Sequence, residues 1–449
     1  FSLACCGLSP EEHYEKTLKT GHYLNDKSLV KVMTEEAEKT LRTLIDWGVN
    51  IKLAKGTAST RETAPNPIMG GGGFVKELAL VAEREGVKIM EWTVVTSLQT
   101  DKGRVVGVNV ENWRSGKRDS IGAGSVILAT GGGGRIYSHT DNPDRITGDG
   151  YALAMNVGAK FRDMEFVQFY PLGWDEPGFP QWMADLGLVD HMRITDAKGD
   201  EFLKKALKRW GYKNGREGNY YARDACARLV AEKALNGGVF AHFEDLVESQ
   251  WDDPELQYSL VLDTNFFKGI KRPLRMAPVE HYFCGGVAID SYGRTNVDGL
   301  YACGEVTGGV DGANRVGGNA LSNIVVFGSR AGETAAKECE AIPRKTGTAD
   351  GGNFLTISEE GQKPGILRRQ LQEKAWDAIG PMREGRKIEE FLGYLEDFKN
   401  RKIRIEMPID RLLSLEMEGL FKTAEAVARA ALKRPKSLGN HWRTDEKTD

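Results

Sequence analysis

The polar residues best suited to chemistry lie in a glycine-dense stretch, residues 280–327. Short apolar runs alternate there with glycine turns, and six polar side chains stand between them: His281, Glu305, Asp311, Asn314, Arg315 and Asn319. Glycine allows backbone amides to approach a flat or phosphorylated ligand closely. A histidine and an arginine on such loops indicate an anionic substrate bound beside that ligand.

Two more glycine-rich segments are typical of a nucleotide site. The apolar run 125–129 leads into ATGGGGRIY at residues 129–137, and TGDGYALA follows at residues 147–154. A buried strand that ends in glycines, followed by Asp-Gly at the start of a helix, forms a crevice at the carboxyl end of a parallel sheet. Two ordinary glycine turns are the alternative interpretation of this pattern.

Two further groups of residues could take part in binding or catalysis. Glu305 ends a short apolar strand and could accept hydrogen bonds from sugar or ribityl hydroxyls, and residues 317–322 open a helix whose free amides can hold a phosphate or carbonyl oxygen. Arg223 and Asp224 open another helix, where helix capping by Asp224 and a surface position for Arg223 are the ordinary interpretation.

These stretches resemble the flavoprotein subunits of fumarate reductase and succinate dehydrogenase, a family that also includes L-aspartate oxidase. The resemblance runs from about residue 9 to residue 445 and is carried by VILATGGGGRIY, TGDGYALA, DMEFVQFYP, HYFCGGV, LYACGEV and GANRVGGNALSNIVVFG. The order and spacing of six motifs make it very specific. It implies FAD as the cofactor and no metal site in this chain.

The resemblance also implies residue roles. Cofactor-binding residues would be Ala129, Thr130, Gly131 and Gly132 at the adenosine diphosphate part, Asp149 near the flavin, Glu305 at the ribityl hydroxyls, and Asn319, Ala320, Leu321 and Ser322 at the isoalloxazine and ribityl end. In catalysis, His281 and Arg315 would hold one substrate carboxylate and Arg223 would donate the proton. The implied reaction interconverts an unsaturated and a saturated (di)carboxylate by hydride transfer at flavin N5.

Three departures from the family pattern concern the substrate. Tyr170 and Asp311 stand where the family usually has histidine. The family's Thr-Glu pair, and an arginine three residues on, fall on Met183, Ala184 and Gly187. A shift of one residue would bring in Asp185, but no arginine occurs before Arg193. Either protons arrive by another route, through Asp190 or His191, or the substrate is not plain fumarate; both residues can equally be exposed loop groups.

The patterns and the resemblance together predict the fold. We expect an α/β FAD-binding domain, Rossmann-like and built from two segments, with an inserted α+β capping domain and a C-terminal helical domain. The expected boundaries are 1–172 and 276–345 for the FAD-binding segments, 173–275 for the capping domain and 355–449 for the helical domain. Locally, we expect a helix over 26–48, a strand over 87–92, and a strand over 125–129 that is buried on both faces.

The family's N-terminal GxGxxG segment is absent from this sequence, which starts at Phe1. We therefore expect a truncated chain, or a second polypeptide that supplies the segment.

With 449 residues, the chain has room for two or three domains. A net charge of −3 gives no electrostatic footprint for nucleic acid. There is no apolar run of 18 residues, which argues against a membrane span.

Cysteine usage bears on partners and location. None of the six cysteines forms a CxxC pair, which argues against a metal cluster or a disulfide framework and favours free thiols in a reducing compartment. The resemblance implies that the partner is an iron–sulfur electron-transfer subunit, and that the location is cytoplasmic with peripheral membrane attachment through partner subunits. Three alternatives remain: an L-aspartate oxidase-like enzyme, an adenylylsulfate reductase-like flavoprotein, and a non-catalytic FAD electron-transfer subunit.

Overall fold

The computed structural model describes residues 2–59, 70–339 and 353–446. The first part contains α1 (Pro10–Thr20), α2 (Lys27–Asp46), β1 (Lys52–Ala54), β2 (Thr57–Ser59), α3 (Gly70–Arg84), β3 (Thr93–Asp101), β4 (Arg104–Asn112), β5 (Lys117–Gly122), β6 (Val126–Leu128), α4 (Asp149–Asn156) and β7 (Phe161–Arg162). The middle part contains β8 (Val167–Trp174), α5 (Leu188–His191), β9 (Ile194–Asp196), α6 (Phe202–Arg209), α7 (Gly215–Tyr221), α8 (Arg223–Leu235), β10 (Val239–His242), α9 (Pro254–Leu260) and β11 (Pro273–Phe283).

The remainder holds β12 (Gly286–Ala288), β13 (Leu300–Ala302), β14 (Thr307–Gly308), α10 (Asn319–Glu338), β15 (Thr356–Gln362), α11 (Pro364–Ile379), α12 (Gly385–Phe398), β16 (Lys402–Ile403), α13 (Pro408–Leu415) and α14 (Met417–Lys433). The expected end of the second segment at residue 345 and the expected start and end of the chain lie outside the described residues. Across the described part of the chain, no helix combines the length and the apolar character that a membrane crossing requires.

Helix α2 confirms the helix predicted from apolar spacing. The Asp26 carboxylate accepts hydrogen bonds from the backbone N–H groups of Ser28 and Leu29, and so caps two free donors of the first turn. Leu29 and Met33 are buried on one face of the helix, as the periodicity requires. The local signals of the sequence were sufficient here because both the cap and the face are local features.

The strand predicted over residues 87–92 is wrong. The strands near it, β3, β4 and β5, form an antiparallel meander that begins only at Thr93. Val87 and Ile89 are about half exposed, and residues 87–92 belong to no strand. Alternating apolar residues form a strand only where a neighbouring backbone completes the hydrogen bonds, and within the described residues no strand pairs with this segment.

Strands β6 and β13 pair in parallel, with Val126 opposite Leu300 and Leu128 opposite Ala302. The run at residues 125–129 is therefore a strand, but its predicted burial on both faces is wrong, because Ile127 is 37% exposed. In the described residues, β6 pairs with this one strand. The glycines that follow β6 therefore lie at the carboxyl end of this short pair of parallel strands.

The middle part of the chain is organised around a four-stranded antiparallel sheet in the order β8-β11-β10-β9. All eight residues of β8 are buried. The register places Gln168 opposite Tyr282 and Tyr170 opposite Val279. Helix α8 packs on β8 and β11, so its first residue, Arg223, lies close to this pair of strands.

The C-terminal strap, residues 437–445, crosses back over the molecule. Its Asn440 N–H donates to the carbonyl of Ala313, and the ring of Trp442 lies 4.1 Å from Cζ of Arg228 on α8. Arg383, in the turn before α12, holds the strap through backbone hydrogen bonds with Trp442 and Thr444. The strap therefore links the C-terminal helices to two other parts of the chain.

The Arg383 side chain is fully buried and anchors this region. Its guanidinium donates to the carbonyls of Ile379, Gly380 and Glu165 and contacts Nδ1 of His441 at 2.8 Å. Burial lowers the pKa of His441 to about 3, so its ring is neutral and Nδ1 can accept the hydrogen bond. One buried side chain thus satisfies acceptors from three separate segments.

We expect Arg383→Met to lower the free energy of unfolding by about 3–5 kcal/mol, because several buried acceptors lose their donor. Thermal or urea unfolding followed by circular dichroism measures the change. Arg386→Met is the matched control, since the Arg386 side chain is 82% exposed and pairs only with Glu390, four residues on along the helix. A loss for Arg383→Met no larger than that of the control would contradict the anchoring role.

Candidate active site

The paired strands β8 and β11 bring together residues from separate sequence motifs. The ring of Tyr170 on β8 lies 4.7 Å from Cζ of Arg223. The same ring makes an edge contact with His281 of β11, with ring centroids 5.3 Å apart. Two residues predicted to be catalytic, 58 positions apart in the chain, therefore both contact one tyrosine.

Arg223 is almost fully buried, and its partners are neutral. Its Nε–H donates to Oδ1 of Asn219 at 3.1 Å, and Nη1 donates to Oε1 of Gln168 at 3.0 Å. Burial lowers the pKa of Arg223, since a desolvated charge is disfavoured. An arginine surrounded by neutral acceptors is a better acid than one paired with a carboxylate.

Arg315 is the second buried cation of the site. Its Cζ lies 4.1 Å from the ring of Tyr282, and its Nε is buried without a hydrogen-bond partner among the described residues. Within the same residues, its guanidinium forms no ion pair with a carboxylate. The backbone of Arg315 is held by Gln168, whose Nε2 donates to the Arg315 carbonyl, and Gln168 also accepts from Arg223. Gln168 thus joins the two arginines.

His281 is held by Asp141, with 2.8 Å between Nδ1 and the carboxylate oxygen. The acceptor at Nδ1 assigns the proton to that nitrogen and leaves Nε2 free for a ligand. Burial lowers the pKa of His281, so the ring is neutral near pH 7. Asp141 carries no motif that would identify it from the sequence; it comes from the loop after residues 134–136, 140 positions away.

The positions where a proton relay was sought have other roles. Met183 forms an isolated bridge with Gly173, and the Gly187 N–H donates to the Asp185 side chain. Asp190 accepts from the Gly215 N–H at the start of α7. His191 lies 3.3 Å from Asp253, the N-cap of α9. The contacts of Asp190 and His191 are thus with helix starts rather than with Arg223.

Asp311 is a buried acid in the loop that carries Arg315. Burial raises its pKa to about 6, although the charge of Arg315 opposes this rise. Its Oδ1 has no partner among the described residues. Near pH 6, this carboxyl therefore changes its charge close to the candidate anion-binding arginine.

We expect the affinity for an anionic ligand to fall about tenfold as the pH rises from about 5 to about 7, because ionised Asp311 neutralises Arg315 and repels the anion. Titration of the flavin absorbance with fumarate at several pH values measures the dissociation constant. In Asp311→Asn this fall should be largely absent, while other groups titrate as before. An equal pH dependence in both proteins would contradict the assignment.

The residues predicted to bind the cofactor meet at the end of β6. Ala129 and Thr130 are exposed there, and Gly131 has a φ of 72°, which favours glycine. A Cβ on Gly132 would stand 2.2 Å from Oε1 of Glu305, so a larger residue would require Glu305 to move. The end of β6 and the Glu305 carboxyl group are therefore close neighbours.

Glu305 itself is partly buried, and desolvation of its carboxyl group raises its pKa to about 7. Its Oε1 accepts the Phe283 N–H at 2.9 Å, which connects it to the end of β11. Asp149 is placed differently: its carboxylate accepts from Thr147, and a Cβ on Gly419 of α14 would stand 2.3 Å from its Oδ1. Burial raises the pKa of Asp149 to about 7 as well.

Helix α10 begins close to Glu305 and offers free amides. Its N-cap, Gly318, has a φ of 87° and provides no side-chain cap. The Asn319 side chain is committed to α1, through Nε2 of His13 at 2.9 Å and Oγ1 of Thr17 at 3.0 Å. Ala320 and Leu321 are partly buried, and Ser322 Oγ donates to the carbonyl of Ser2. A contact of Ser322 with a ligand would therefore use its backbone, whereas the Asn319 N–H already donates to the carbonyl of Val316.

Comparison with known proteins agrees with the predicted flavoprotein family. The FAD binding domain family matches residues 6–321, more than half of the chain, and the fumarate reductase flavoprotein C-terminal family matches residues 368–449. The chain is therefore a flavoprotein with an FAD-binding domain and the C-terminal domain of these enzymes, as predicted.

Within that class, its relatives include enzymes with two activities. The chain is 31% identical to a fumarate reductase (CoM/CoB) subunit from Methanothermobacter marburgensis, over 97% of this chain and 84% of the relative. It is 28% identical to L-aspartate oxidase from Streptomyces coelicolor, over 98% and 80%. The chain belongs to the family of fumarate reductase, succinate dehydrogenase and L-aspartate oxidase flavoproteins.

The fold agrees with this family. The quinol fumarate reductase flavoprotein of E. coli superposes with a TM-score of 0.81 at 23% identity, over 99% of this chain and 83% of that one. At this identity the likeness establishes the fold alone. The predicted fold class, an α/β FAD-binding domain with further domains, is confirmed.

FAD is the cofactor of this family, and the residues of this chain fit parts of it. The free amides at the start of α10 suit a phosphate or carbonyl oxygen, because a helix N-terminus carries unsatisfied donors and a positive dipole end. Glu305 accepts through Oε1 and has a second carboxyl oxygen that suits a hydroxyl. The exposed end of β6, followed by Gly131 and Gly132, lies at the carboxyl end of a parallel strand pair, which is where nucleotides bind in such folds.

Proposed function

We propose that this protein interconverts an unsaturated and a saturated carboxylate, with dicarboxylates such as fumarate and succinate as the first candidates. The observation that carries the proposal is the pair of buried guanidiniums, Arg223 and Arg315, that form no ion pair with a carboxylate among the described residues. Asp311 acts on Arg315 electrostatically without forming such a pair. A buried cation without a direct ion pair is costly, and an anionic substrate would lower that cost. The neutral His281, beside them, offers Nε2 to the same anion.

In this reaction the residues of the chain have separate tasks. FAD, when bound and reduced, would supply the hydride that the reduction of an alkene requires. Arg315 and His281 hold one carboxylate and stabilise the negative charge that develops beside it. Arg223 gives a proton to the neighbouring carbon, a role favoured by its burial and neutral partners. After the proton leaves, neutral Arg223 recovers one from water.

We further propose the cofactor contacts implied by the family motifs. Ala129, Thr130, Gly131 and Gly132 would bind the nucleotide side, Asp149 would lie near the flavin, and Glu305 would bind the ribityl hydroxyls. The start of α10, Asn319, Ala320, Leu321 and Ser322, would bind the flavin end. The convergence of the β6 end with Glu305 and the free amides of α10 supports this arrangement; the orientation of Asp149 toward α14 gives it less support.

The division into domains is also a proposal. A buried cluster formed by Leu172, Leu203, Val230, Met276 and neighbouring residues lies largely within 173–275, and a separate cluster joins α2 with α10. These separate cores support an inserted capping domain between two FAD-binding segments. The C-terminal helices share their core with the first segment, which supports a domain docked on it.

An iron–sulfur subunit is the proposed redox partner. The relative from Methanothermobacter is named as one subunit of its enzyme, which supports a multi-subunit assembly. The six cysteines of this sequence form no CxxC pair, which supports a cluster carried by another chain. We propose a cytoplasmic location, peripheral to a membrane wherever the partner subunits are attached to one.

The decisive experiment is anaerobic photoreduction of the FAD-loaded protein followed by addition of fumarate. We expect the flavin absorbance to return as the alkene is reduced. A panel of related unsaturated carboxylates then identifies the preferred substrate. Absence of reoxidation by every alkene carboxylate in the panel would reject the proposal.

Oxidation of an amino acid is the second candidate, because the relatives include L-aspartate oxidases at nearly the same identity. The same buried arginines would then hold the carboxylates of L-aspartate. Formation of iminoaspartate, trapped chemically after addition of L-aspartate under air, distinguishes this activity from alkene reduction.

A further inference from the structure

Asp185 is buried next to Tyr170 and Asn219, the two side chains that contact Arg223, and its carboxylate accepts three hydrogen bonds. Its Oδ2 receives the Tyr170 hydroxyl at 3.1 Å and Nδ2 of Asn219 at 2.9 Å, while Oδ1 receives the Gly187 N–H at 2.8 Å. Its backbone N–H donates to the carbonyl of Ser259. The carboxylate is thus fixed by its own turn, and it fixes two side chains that contact Arg223.

Asn219 is oriented from both ends. Because its Nδ2 donates to Asp185, its Oδ1 must point the other way, where it accepts from Nε of Arg223. Asn219 lies in the last turn of α7 and Arg223 is the first residue of α8, so the contact spans the break between the helices. Loss of the Asp185 carboxylate would free the amide to rotate.

The remaining nitrogen of Arg223 has a defined environment. Nε and Nη1 are used by Asn219 and Gln168, whereas Nη2 has no hydrogen bond among the described residues. Nη2 lies 3.0 Å from the point where a Cβ on Gly317 would stand, so the missing side chain of Gly317 leaves it room. Nη2 is therefore the nitrogen free to face a substrate.

We propose that Asp185 is a positioning residue for Arg223: through Asn219 and Tyr170 it holds the guanidinium so that Nη2 faces the substrate. This inference rests on the proposed role of Arg223 as proton donor. Asp185 would replace, by a different arrangement, the Thr-Glu and arginine positions that this chain lacks.

The side chain of Asn219 separates the Asp185 carboxylate from Arg223, the proposed acid. A carboxylate in direct contact would hold the proton on Arg223, whereas the neutral Asn219 orients the guanidinium without pairing with it. An amide side chain carries no readily transferable proton, so the path from Asp185 through Asn219 orients rather than relays.

Asp185→Leu and Asp185→Asn in the FAD-loaded full chain test this role. We expect Asp185→Leu to lower kcat about 10²-fold, because small misplacements of a catalytic group cost that much. The fumarate Kd, from flavin absorbance, should change less than about 3-fold, because Arg315 and His281 remain. Asp185→Asn, which keeps an acceptor oxygen, should restore most of kcat. Asp245→Asn is the control, since Asp245 pairs with Arg193 in an exposed position.

Several outcomes would overturn the proposal. An unchanged kcat in Asp185→Leu would do so, as would equal losses of kcat, fumarate binding and FAD content, which indicate a structural role only. Equal loss in Asp185→Asn and Asp185→Leu would point to a proton relay. If Asp185→Leu does not fold, Asn219→Leu provides the same test.

A crystal structure separates this inference from the proposed function. If the wild-type protein reduces no alkene, the proposed function fails, but the position of Arg223 in Asp185→Leu can still be compared with the wild type. A guanidinium that leaves Asn219 and Gln168 supports positioning by Asp185. A guanidinium that stays in place overturns it.

Discussion

Arg223→Gln is expected to lower kcat for alkene reduction by about 10³-fold, the typical contribution of a positioned acid. Glutamine can retain the hydrogen bond to Gln168 but carries no proton that it can give to carbon. Stopped-flow reoxidation of the reduced flavin by fumarate measures the loss. FAD content and the fumarate Kd should change little, because Arg315 and His281 keep their contacts.

The control for this substitution is Arg216→Gln on the neighbouring helix α7. Arg216 is exposed and pairs with Glu255, away from the cluster, so its loss should leave kcat unchanged. A protein that lacks turnover but exchanges electrons with a partner equally well with Arg223 or Gln at this position would instead be the non-catalytic electron-transfer subunit. Retention of turnover in Arg223→Gln would remove this residue from the mechanism.

Arg315→Gln is expected to raise the Kd for fumarate about 10²-fold, with a much smaller effect on kcat. A charge-assisted hydrogen bond in a buried site is worth about 1.5–3 kcal/mol, and the proposed substrate anion would provide the partner that Nε of Arg315 lacks in the described structure. Because this contact is made in both the ground state and the transition state, its loss affects mainly binding. Titration of the flavin absorbance measures the change.

Arg315→Lys separates charge from geometry. Lysine keeps the positive charge but lacks the planar fork that binds a carboxylate with two hydrogen bonds, so we expect a smaller rise of about tenfold. Lys337→Gln, at an exposed position near the end of α10, is the control and should leave binding unchanged. If Arg315→Gln binds fumarate as tightly as the wild type, the anion site lies elsewhere.

The features predicted well from the sequence are those that depend on neighbouring residues. Asp26 and the apolar spacing after it predicted α2, and the family motifs predicted the FAD-binding fold. The strand expected over residues 87–92 failed because pairing depends on a distant backbone. The predicted burial of residues 125–129 on both faces was wrong for a related reason. Apolar composition does not reveal which face of a strand is covered, and Ile127 is exposed.

The supporting residues of the candidate site could not be found in the sequence. Gln168 contacts Arg223 from 55 positions away, and Asp185 contacts Asn219 from 34 positions away. No local pattern marks such pairs, because their proximity arises from the pairing of β8 with β11 and the packing of α8 on both. The motifs identified the residues proposed to react, while the orientation of their side chains became visible only in the folded chain.

The C-terminal strap has a mechanical consequence. It is hydrogen-bonded to Ala313, two residues before Arg315, and packs Trp442 on Arg228, which lies on the helix that Arg223 opens. A displacement of the C-terminal strap would therefore shift Arg223 and Arg315 together. It would act through Arg228 and Ala313, because the described contacts of the strap do not include either arginine. The proposed reaction site is thereby linked to a partly buried segment more than a hundred residues further along the chain.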